Sequence, residues 1–323
     1  MSTEPFLSVI VTITGGAPNL GRCLKALEAQ RNTPVMEILV PVYDDFDKVA
    51  ALRTAHPAVR FISVEGDEEG LVSGDPGLLH LTYDRRRATG LAAARGEWIA
   101  MTEDHAIPGE TWCAGIAEAH RKSYAAIGGA IENASSRWLT RAAYFCDFGR
   151  YANPLQEGPS HYASDINISY KRAAIEKTWP VWRRYYHETA VHAALEAAGE
   201  TLWLTPRIVV RHDRGPLRFG PLLRERFAWA RLFAGRRAAG ASLLKRAVWI
   251  LFSPLLPVLL AARRTAEVVR RGRNRGAFLT AFPSMLVLIA AQAAGEFTGY
   301  VTAKPVGTRS PTQAPEMGRV VSR

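Results

Sequence analysis

Between Trp98 and Pro108 an apolar run, Trp98-Ile99-Ala100-Met101, leads into Thr102-Glu103-Asp104-His105 and then a Pro-containing turn. Two carboxylates and an imidazole thus follow directly on a strand pattern. Carboxylate oxygens at the carboxyl edge of a sheet suit Mg²⁺ or Mn²⁺, and such an ion neutralises a pyrophosphate leaving group. The imidazole of His105 is a poorer ligand for Mg²⁺ than a carboxylate but acceptable to Mn²⁺. The same cluster also reads as an acidic loop capping the next helix. The three cysteines, Cys23, Cys113 and Cys146, are scattered and odd in number. They exclude a disulfide framework and a structural zinc site of CxxC type, and they fit a reduced compartment.

The elements that position this cluster follow from periodicity. Ser8 to Ile13 is a β-branched apolar run ended by Gly15-Gly16 and reads as a buried strand. Asn19 caps a helix in which Leu20, Cys23, Leu24 and Leu27 share one face. Met36–Val42 and Val59–Val64 are two further strands, with a helix over 47–55 between them and a Gly/Glu/Asp-rich loop over 65–77. Ala88–Ala94 reads as helix. A helix near 111–122, a strand at Ala126–Ile131, a Gly/Pro-containing stretch over 149–160 that reads as an active-site loop, a helix at Thr189–Ala198 and short strands at 201–204 and 208–210 follow. Alternating strands and helices predict an α/β domain with a mostly parallel central sheet, helices on both faces and a ligand at the carboxyl ends of the strands.

After Gly215 the character changes. Residues 1–206 hold 20 Lys+Arg against 25 Asp+Glu, whereas residues 207–323 hold 21 against 5, giving the net charge of +11. Residues 221–246 read as a basic amphipathic helix. Two apolar stretches follow, 247–262 and 277–294, each at or under the roughly 20 residues that span a bilayer. Six arginines (263, 264, 270, 271, 273 and 275) lie between them. If both stretches crossed, those arginines would face outside, against the positive-inside rule. A re-entrant or surface-lying hairpin keeps them on the cytoplasmic face of the membrane, against anionic lipids. The alternative is a pair of buried helices in a soluble domain. The arginines alternate with aliphatic runs rather than base-stacking aromatics, which argues against nucleic acid. Met1–Pro5 is polar and runs into a strand, so no signal peptide is expected.

Taken in order, the motifs resemble the family-2 inverting glycosyltransferases of GT-A fold. Arg87, Gly90, Ala94, Gly96 and Pro108 match the family's Arg-Asn-x-Gly…Ala-x-Gly segment and the proline after its acidic motif; Glu103 and His105 stand at the outer acidic positions, with Asp104 between, and Ala88 replaces Asn. Ser8–Thr14 resembles the first strand, whose end touches the nucleotide through Thr12 and Thr14. Glu37-to-Asp45 resembles the second strand, which places Asp44 near the base. Ser164-Asp165-Ile166-Asn167-Ile168-Ser169-Tyr170-Lys171-Arg172 resembles the acceptor segment, and implies acceptor contacts at Asp165, Asn167 and Arg172. Tyr186-His187-Glu188-Thr189 with Gly199 resembles the segment that carries the general base, here Glu188. His212 resembles a histidine that closes the nucleotide or metal site.

The resemblance covers about residues 7–213. It implies a Rossmann-like catalytic domain over 1–215, while the charge and the apolar stretches point to a helical membrane-associated region over 216–323 with a flexible tail. The resemblance implies single-displacement transfer from a nucleotide-sugar to a hydroxyl, and the membrane region points to a lipid-linked or cell-envelope glycan as the acceptor. Arg87, Glu103 and Asp104 would lie against the donor, and Asp104, His105 and His212 would hold a divalent metal. Trp138, Trp179 and Trp182 read as either sugar-stacking or core residues, His187 and His192 as surface or structural. Two other readings stay open: a GT-A-like scaffold without turnover, and a nucleotidyltransferase that releases pyrophosphate.

Overall fold

Residues 4–43, 46–65 and 76–303 are described by the computed structural model. Its first strand, β1 (Leu7–Thr12), is buried at every position, as a β-branched run without polar alternation requires. It pairs in parallel with β2 (Met36–Val42) on one side and β4 (Trp98–Glu103) on the other, and β2 pairs with β3 (Val59–Ser63). Helices α1 (Ala17–Glu28), α2 (Phe46–Ala55) and α3 (Pro76–Ala93) make the crossovers. The α1 face carrying Leu20, Cys23, Leu24 and Leu27 is buried against the sheet.

Two of the motif glycines have a steric reason. A Cβ at Gly90 of α3 would sit 2.5 Å from the Ile10 side chain, and one at Gly96 would sit 2.6 Å from the Ser8 amide nitrogen. No other residue lets the α3–β4 connection lie this close to β1. Ser8 secures the approach: its Oγ accepts from the Gly96 N–H at 2.7 Å and donates to Glu37 at 2.7 Å.

Beyond β4 the sheet becomes mixed. The remaining elements are β5 (Ala106–Pro108), α4 (Trp112–Ala119), β6 (Ala126–Asn133), α5 (Trp138–Asp147), a 3-10 turn at Gly149–Tyr151 and β7 (Gly158–Ser160), then β8 (Ile168–Lys171), α6 (Arg172–Glu176), α7 (Trp179–Trp182), α8 (Glu188–Ala197) and β9 (Leu202–His212). Among the described residues nine strands form one sheet in the order β3-β2-β1-β4-β8-β6-β9-β5, with β7 also on β9. Strands β8, β5 and β7 run against the other six, so the sheet is mostly parallel. The two short strands expected at 201–204 and 208–210 are one strand, β9, whose pairing to β6 shifts register between Gly129 and Ala130.

The C-terminal region forms α9 (Phe219–Ala239), α10 (Leu243–Phe252), α11 (Leu256–Arg271) and α12 (Arg275–Thr302). The basic segment expected as one helix over 221–246 breaks at Gly240–Ser242, where Ser242 caps α10 by accepting from the Lys245 N–H. Helix α9 packs along α12 at backbone distance: a Cβ at Gly295 would lie 2.3 Å from the Phe227 carbonyl oxygen, and one at Gly299 2.5 Å from that of Arg231. Small residues four apart permit this approach. Buried Arg226 of α9 pairs with Asp147 of α5. Phe278, Ala281, Met285 and Leu288 of α12 join the same apolar core as Leu139 and Phe145 of α5. Four of the six arginines expected in an inter-helix loop lie on α11 instead, and only 272–274 link it to α12.

Candidate active site

The carboxyl ends of β1 and β4 meet at Thr12 and Glu103, which are register partners. The chain beyond β1, Thr14-Gly15-Gly16, wraps around the Asp104 carboxylate. Asp104 is fully buried. Its Oδ1 accepts from the backbone N–H and hydroxyl of Thr14 at 3.1 and 2.9 Å and from the Gly15 N–H at 3.0 Å. Its Oδ2 accepts from the N–H groups of Gly15 and Gly16, both at 2.8 Å. Successive N–H groups in such a turn form an anion-binding concavity, and here the anion is the protein's own side chain. Thr14 Oγ1 also lies 2.7 Å from His105 Nδ1. Thr12 contributes its carbonyl to the Asp104 N–H, while its hydroxyl is buried without a partner.

Glu103 and His105 sit back to back. His105 Nε2 is 2.9 Å from Glu103 Oε2, and Nδ1 is 3.2 Å from Asp104 Oδ1. Burial alone would depress His105; Glu103 and Asp104 outweigh it and raise His105 to about 9, so it is an imidazolium at neutral pH. Burial likewise opposes the Glu103 charge, but His105 and Arg87 hold it at about 2.

Arg87 on α3 is the hub. It is buried and lies 2.5 Å from Glu103, 2.8 Å from Asp165 and 3.3 Å from Asp84. Asp84, one helical turn before Arg87, is raised to about 7 by burial, with Arg87 opposing. Nothing in the local sequence distinguishes it from a surface helix acid. Asp165 in turn offers its backbone N–H to Glu188 Oε2 at 3.0 Å. Glu188 is the first residue of α8 and is only partly exposed. The helix dipole favours its charge, yet burial, reinforced by Asp165, raises it to about 8. A continuous chain of contacts therefore runs Asp104–His105–Glu103–Arg87–Asp165–Glu188, from the tips of β1 and β4 to the start of α8.

The other expected site residues fall in different places. Arg172 does not join the cluster: it donates to the carbonyls of Gly96 and Ala94 at 2.9 and 2.7 Å, at the beginning of β4. A six-residue strand spans about 15–20 Å, so Arg172 lies at the opposite end of the sheet from Glu103. Asn167 is buried and engaged on both sides of its amide. It donates to the carbonyls of Ala130 and Ile208 at 2.8 and 3.0 Å and accepts from Trp112 Nε1 at 2.8 Å. It closes the β6–β9 register shift and has no group left for an acceptor. Asp44 lies outside the described residues. His192 is buried on Tyr170, Trp182 is buried, and Trp138 and Trp179 are exposed.

His212, at the end of β9, packs edge-on against His105 with ring centroids 4.6 Å apart and against Phe148 at 4.7 Å. Both its ring nitrogens are buried without a partner. Burial and the His105 charge hold it well below the usual histidine range, so it is neutral. Of the three groups expected to hold a divalent metal, Asp104 and His105 are engaged within the protein in this arrangement, and His212 alone keeps its ring nitrogens free. Asp104 has both oxygens filled by the 14–16 turn and His105 has both nitrogens turned to carboxylates. Among the described residues no group of three or more His, Cys, Asp or Glu is placed to hold an ion.

No family model matches the chain. Over 287 residues it is 24% identical to a protein named Glycosyltransferase AglE from Haloferax volcanii, a similarity that spans 84% of this chain and 89% of that protein. Among solved structures, that of S. aureus TarS 1–349 aligns over 92% of this chain and 89% of that one at 13% identity, with a TM-score of 0.44. A crystal structure of a mycobacterial protein aligns over 70% and 73%, at 12% identity and a TM-score of 0.43. Scores this low carry no argument about the site.

Proposed function

We propose that the chain is a membrane-associated glycosyltransferase of GT-A type, akin to family 2, with residues 1–215 as its catalytic domain. The similarity to a protein named as a glycosyltransferase along most of both chains supports the class. The observation that carries the mechanism is the contact chain from Glu103 and His105 to Glu188, because it joins a phosphate-facing edge to a proton-accepting carboxylate.

A nucleotide-sugar lies across the carboxyl ends of β1 and β4, where ligands of such sheets bind. Its diphosphate approaches Arg87 and His105 at this edge, beside Arg86, which donates to the Ile13 carbonyl. Glu188 takes the proton of the acceptor hydroxyl as that oxygen attacks the anomeric carbon from the face opposite the leaving diphosphate. The configuration at the anomeric carbon inverts. Asp165 positions Glu188 through its backbone N–H and keeps Arg87 between the two ends of the site. No step is assigned to a metal ion. The acceptor is a lipid-linked or envelope glycan, and the protein lies on the cytoplasmic face of the membrane with anionic lipids beneath it. Helices spanning Leu243–Arg271 and Arg275–Thr302 are long and apolar enough to cross a membrane. The first of these bends at Ser253–Leu255 and leaves its leucines open, which favours a hairpin lying in the interface.

The test is Glu188→Gln. Transfer is expected to fall at least about a hundredfold, the usual contribution of a general base, while nucleoside-diphosphate binding persists in a thermal-shift assay. Transfer at the wild-type rate removes Glu188 from this role.

A further inference from the structure

Beside α8 the 3-10 turn Gly149–Tyr151 holds two donors that nothing in the protein uses. The Arg150 Nε is buried without a hydrogen-bond partner, and among the described residues no carboxylate pairs with the Arg150 guanidinium. The Tyr151 side chain is 1% exposed and its hydroxyl has no partner either. Buried donors of this kind are destabilising unless a ligand or water meets them. Neither side chain belongs to the contact chain from Asp104 to Glu188.

Two sets of contacts fix where the turn lies. Arg271, in the last turn of α11, donates to the backbone carbonyls of Gly149 and Arg150 and so clamps the turn. The Arg150 guanidinium leans on two rings, 4.9 Å from the Tyr151 centroid and 4.7 Å from that of Tyr162. Tyr162 belongs to a segment that runs along α8. His161 Nδ1 lies 2.7 Å from Glu196 Oε1 near the end of that helix, and the Asp165 N–H reaches Glu188 at its start. Arg150 is thus held alongside the proposed base, close enough for its charge to oppose the upward shift of Glu188. Tyr162 is 38% exposed, so this side of the turn opens to solvent.

A guanidinium packed on rings keeps its N–H edge for an acceptor, and that edge matches the two oxygens of a planar carboxylate. Charge selects among anions. One guanidinium and one neutral hydroxyl balance a single negative charge. A phosphate ester carries about two at neutral pH, and the excess would stand beside Glu188 and Asp165, where like charges repel.

We propose that the acceptor is an acidic sugar, a hexuronic acid whose carboxylate Arg150 binds through both oxygens and to which the Tyr151 hydroxyl also donates. This deepens the transferase reading and rests on it for calling the sugar an acceptor. The carboxylate anchors and does not react; a ring hydroxyl of the same sugar meets Glu188.

The experiment is an NMR titration of the full chain in neutral detergent with methyl β-D-glucopyranosiduronic acid, with UDP and GDP present to fill the donor side. The uronide is expected to bind about tenfold or more tightly than methyl β-D-glucopyranoside, the factor that a hydrogen bond to a charged group supplies. Arg150→Ala should bring the two affinities together, Arg150→Lys should keep part of the preference, and Tyr151→Phe should weaken uronide binding several-fold. Equal affinity of the wild type for the two glycosides overturns the proposal. So does an unchanged preference in Arg150→Ala, or the absence of uronide binding. Glucose 6-phosphate binding as tightly as the uronide would mark a general anion site and overturn the carboxylate assignment. Circular dichroism checks the fold of each variant; if Arg150→Ala does not fold, Arg150→Gln carries the same comparison. The same samples, melted with and without nucleotides, report the donor site separately. No nucleotide response with a retained uronide preference sinks the transferase reading alone, and the reverse sinks the acidic acceptor alone.

Discussion

Glu188 begins a helix whose N-terminus favours its anion, and yet burial beside Asp165 pushes it up to about 8. Its folded value stands above the ordinary carboxylate range, so the proton it holds stabilises the native state at low pH. That contribution is lost as pH rises towards about 8. In the proposed reaction the same ionisation creates the base. Transfer measured as kcat/KM should therefore climb about tenfold per pH unit below pH 8 and level off above it; a flat profile from pH 6 to 9 would count against Glu188. Asn167 has a different role. Asn167→Ala strands the Trp112 N–H and two strand carbonyls, each costing about 1–3 kcal/mol when buried and unmade, so a loss of about 3 kcal/mol or more in urea denaturation is expected. Mn²⁺ alone, without nucleotide, should leave the melting temperature unmoved because Asp104 and His105 have no open donor; a saturable rise would show that the cluster opens for the ion. Residue types along the chain point to Glu103, Asp104, His105, Asp165 and Glu188, and the fold brings all five into one contact chain. They do not reveal which are consumed internally. Asp104 becomes the anion of its own backbone nest, Asn167 a strand clasp, and Arg172 a brace at the far end of β4. Asp84 was invisible because its significance comes from partners distant in sequence.

At the scale of elements, the parallel half of the sheet was legible because its strands are buried on both faces and read as unbroken apolar runs. The antiparallel insertions were not. Strands β5, β7 and β8 have three, three and four residues, too few to show any period, and are held by pairing rather than by propensity. Helix α5 is buried on most of its surface because it lies between α12 and the sheet, with Arg141 and Asp147 left on its more open side. The α9–α12 contact depends on glycines at 295 and 299, and an apolar run conceals such a requirement. Gly295→Leu forces the helices apart against the Phe227 carbonyl, and overpacking of this kind costs about 1–3 kcal/mol. A lowered urea midpoint is expected for Gly295→Leu, and none for Gly276→Leu, where a Cβ meets open space.

For the molecule as a whole, the question is whether charge or apolar surface holds the C-terminal region to a bilayer. The excess of basic over acidic residues after position 206 favours charge. Five of these basic residues, however, are used internally: Arg226 on Asp147, Arg214 on Glu225, Arg264 and Arg271 on carbonyls around the 3-10 turn, and Arg246 on the carbonyls of Tyr300 and Val301. Against this, Leu243 and Leu244 are 79% and 77% exposed, and Leu251, Val258 and Leu259 are each more than 60% exposed. Burying a side chain of this size contributes about 1.5–3 kcal/mol, whereas a basic residue near an anionic surface contributes about 1 kcal/mol and loses most of that to salt. Five such side chains outweigh the remaining arginines once salt has screened those charges. The full chain should therefore float with phosphatidylcholine vesicles and remain bound at about 0.5 M salt, where the screening length falls to about 4–5 Å. Leu251→Glu with Val258→Glu should release it, with the catalytic domain still folded by circular dichroism. Release by salt alone, with those two positions tolerating glutamate, would show that docking is electrostatic and that the open leucines face something other than lipid.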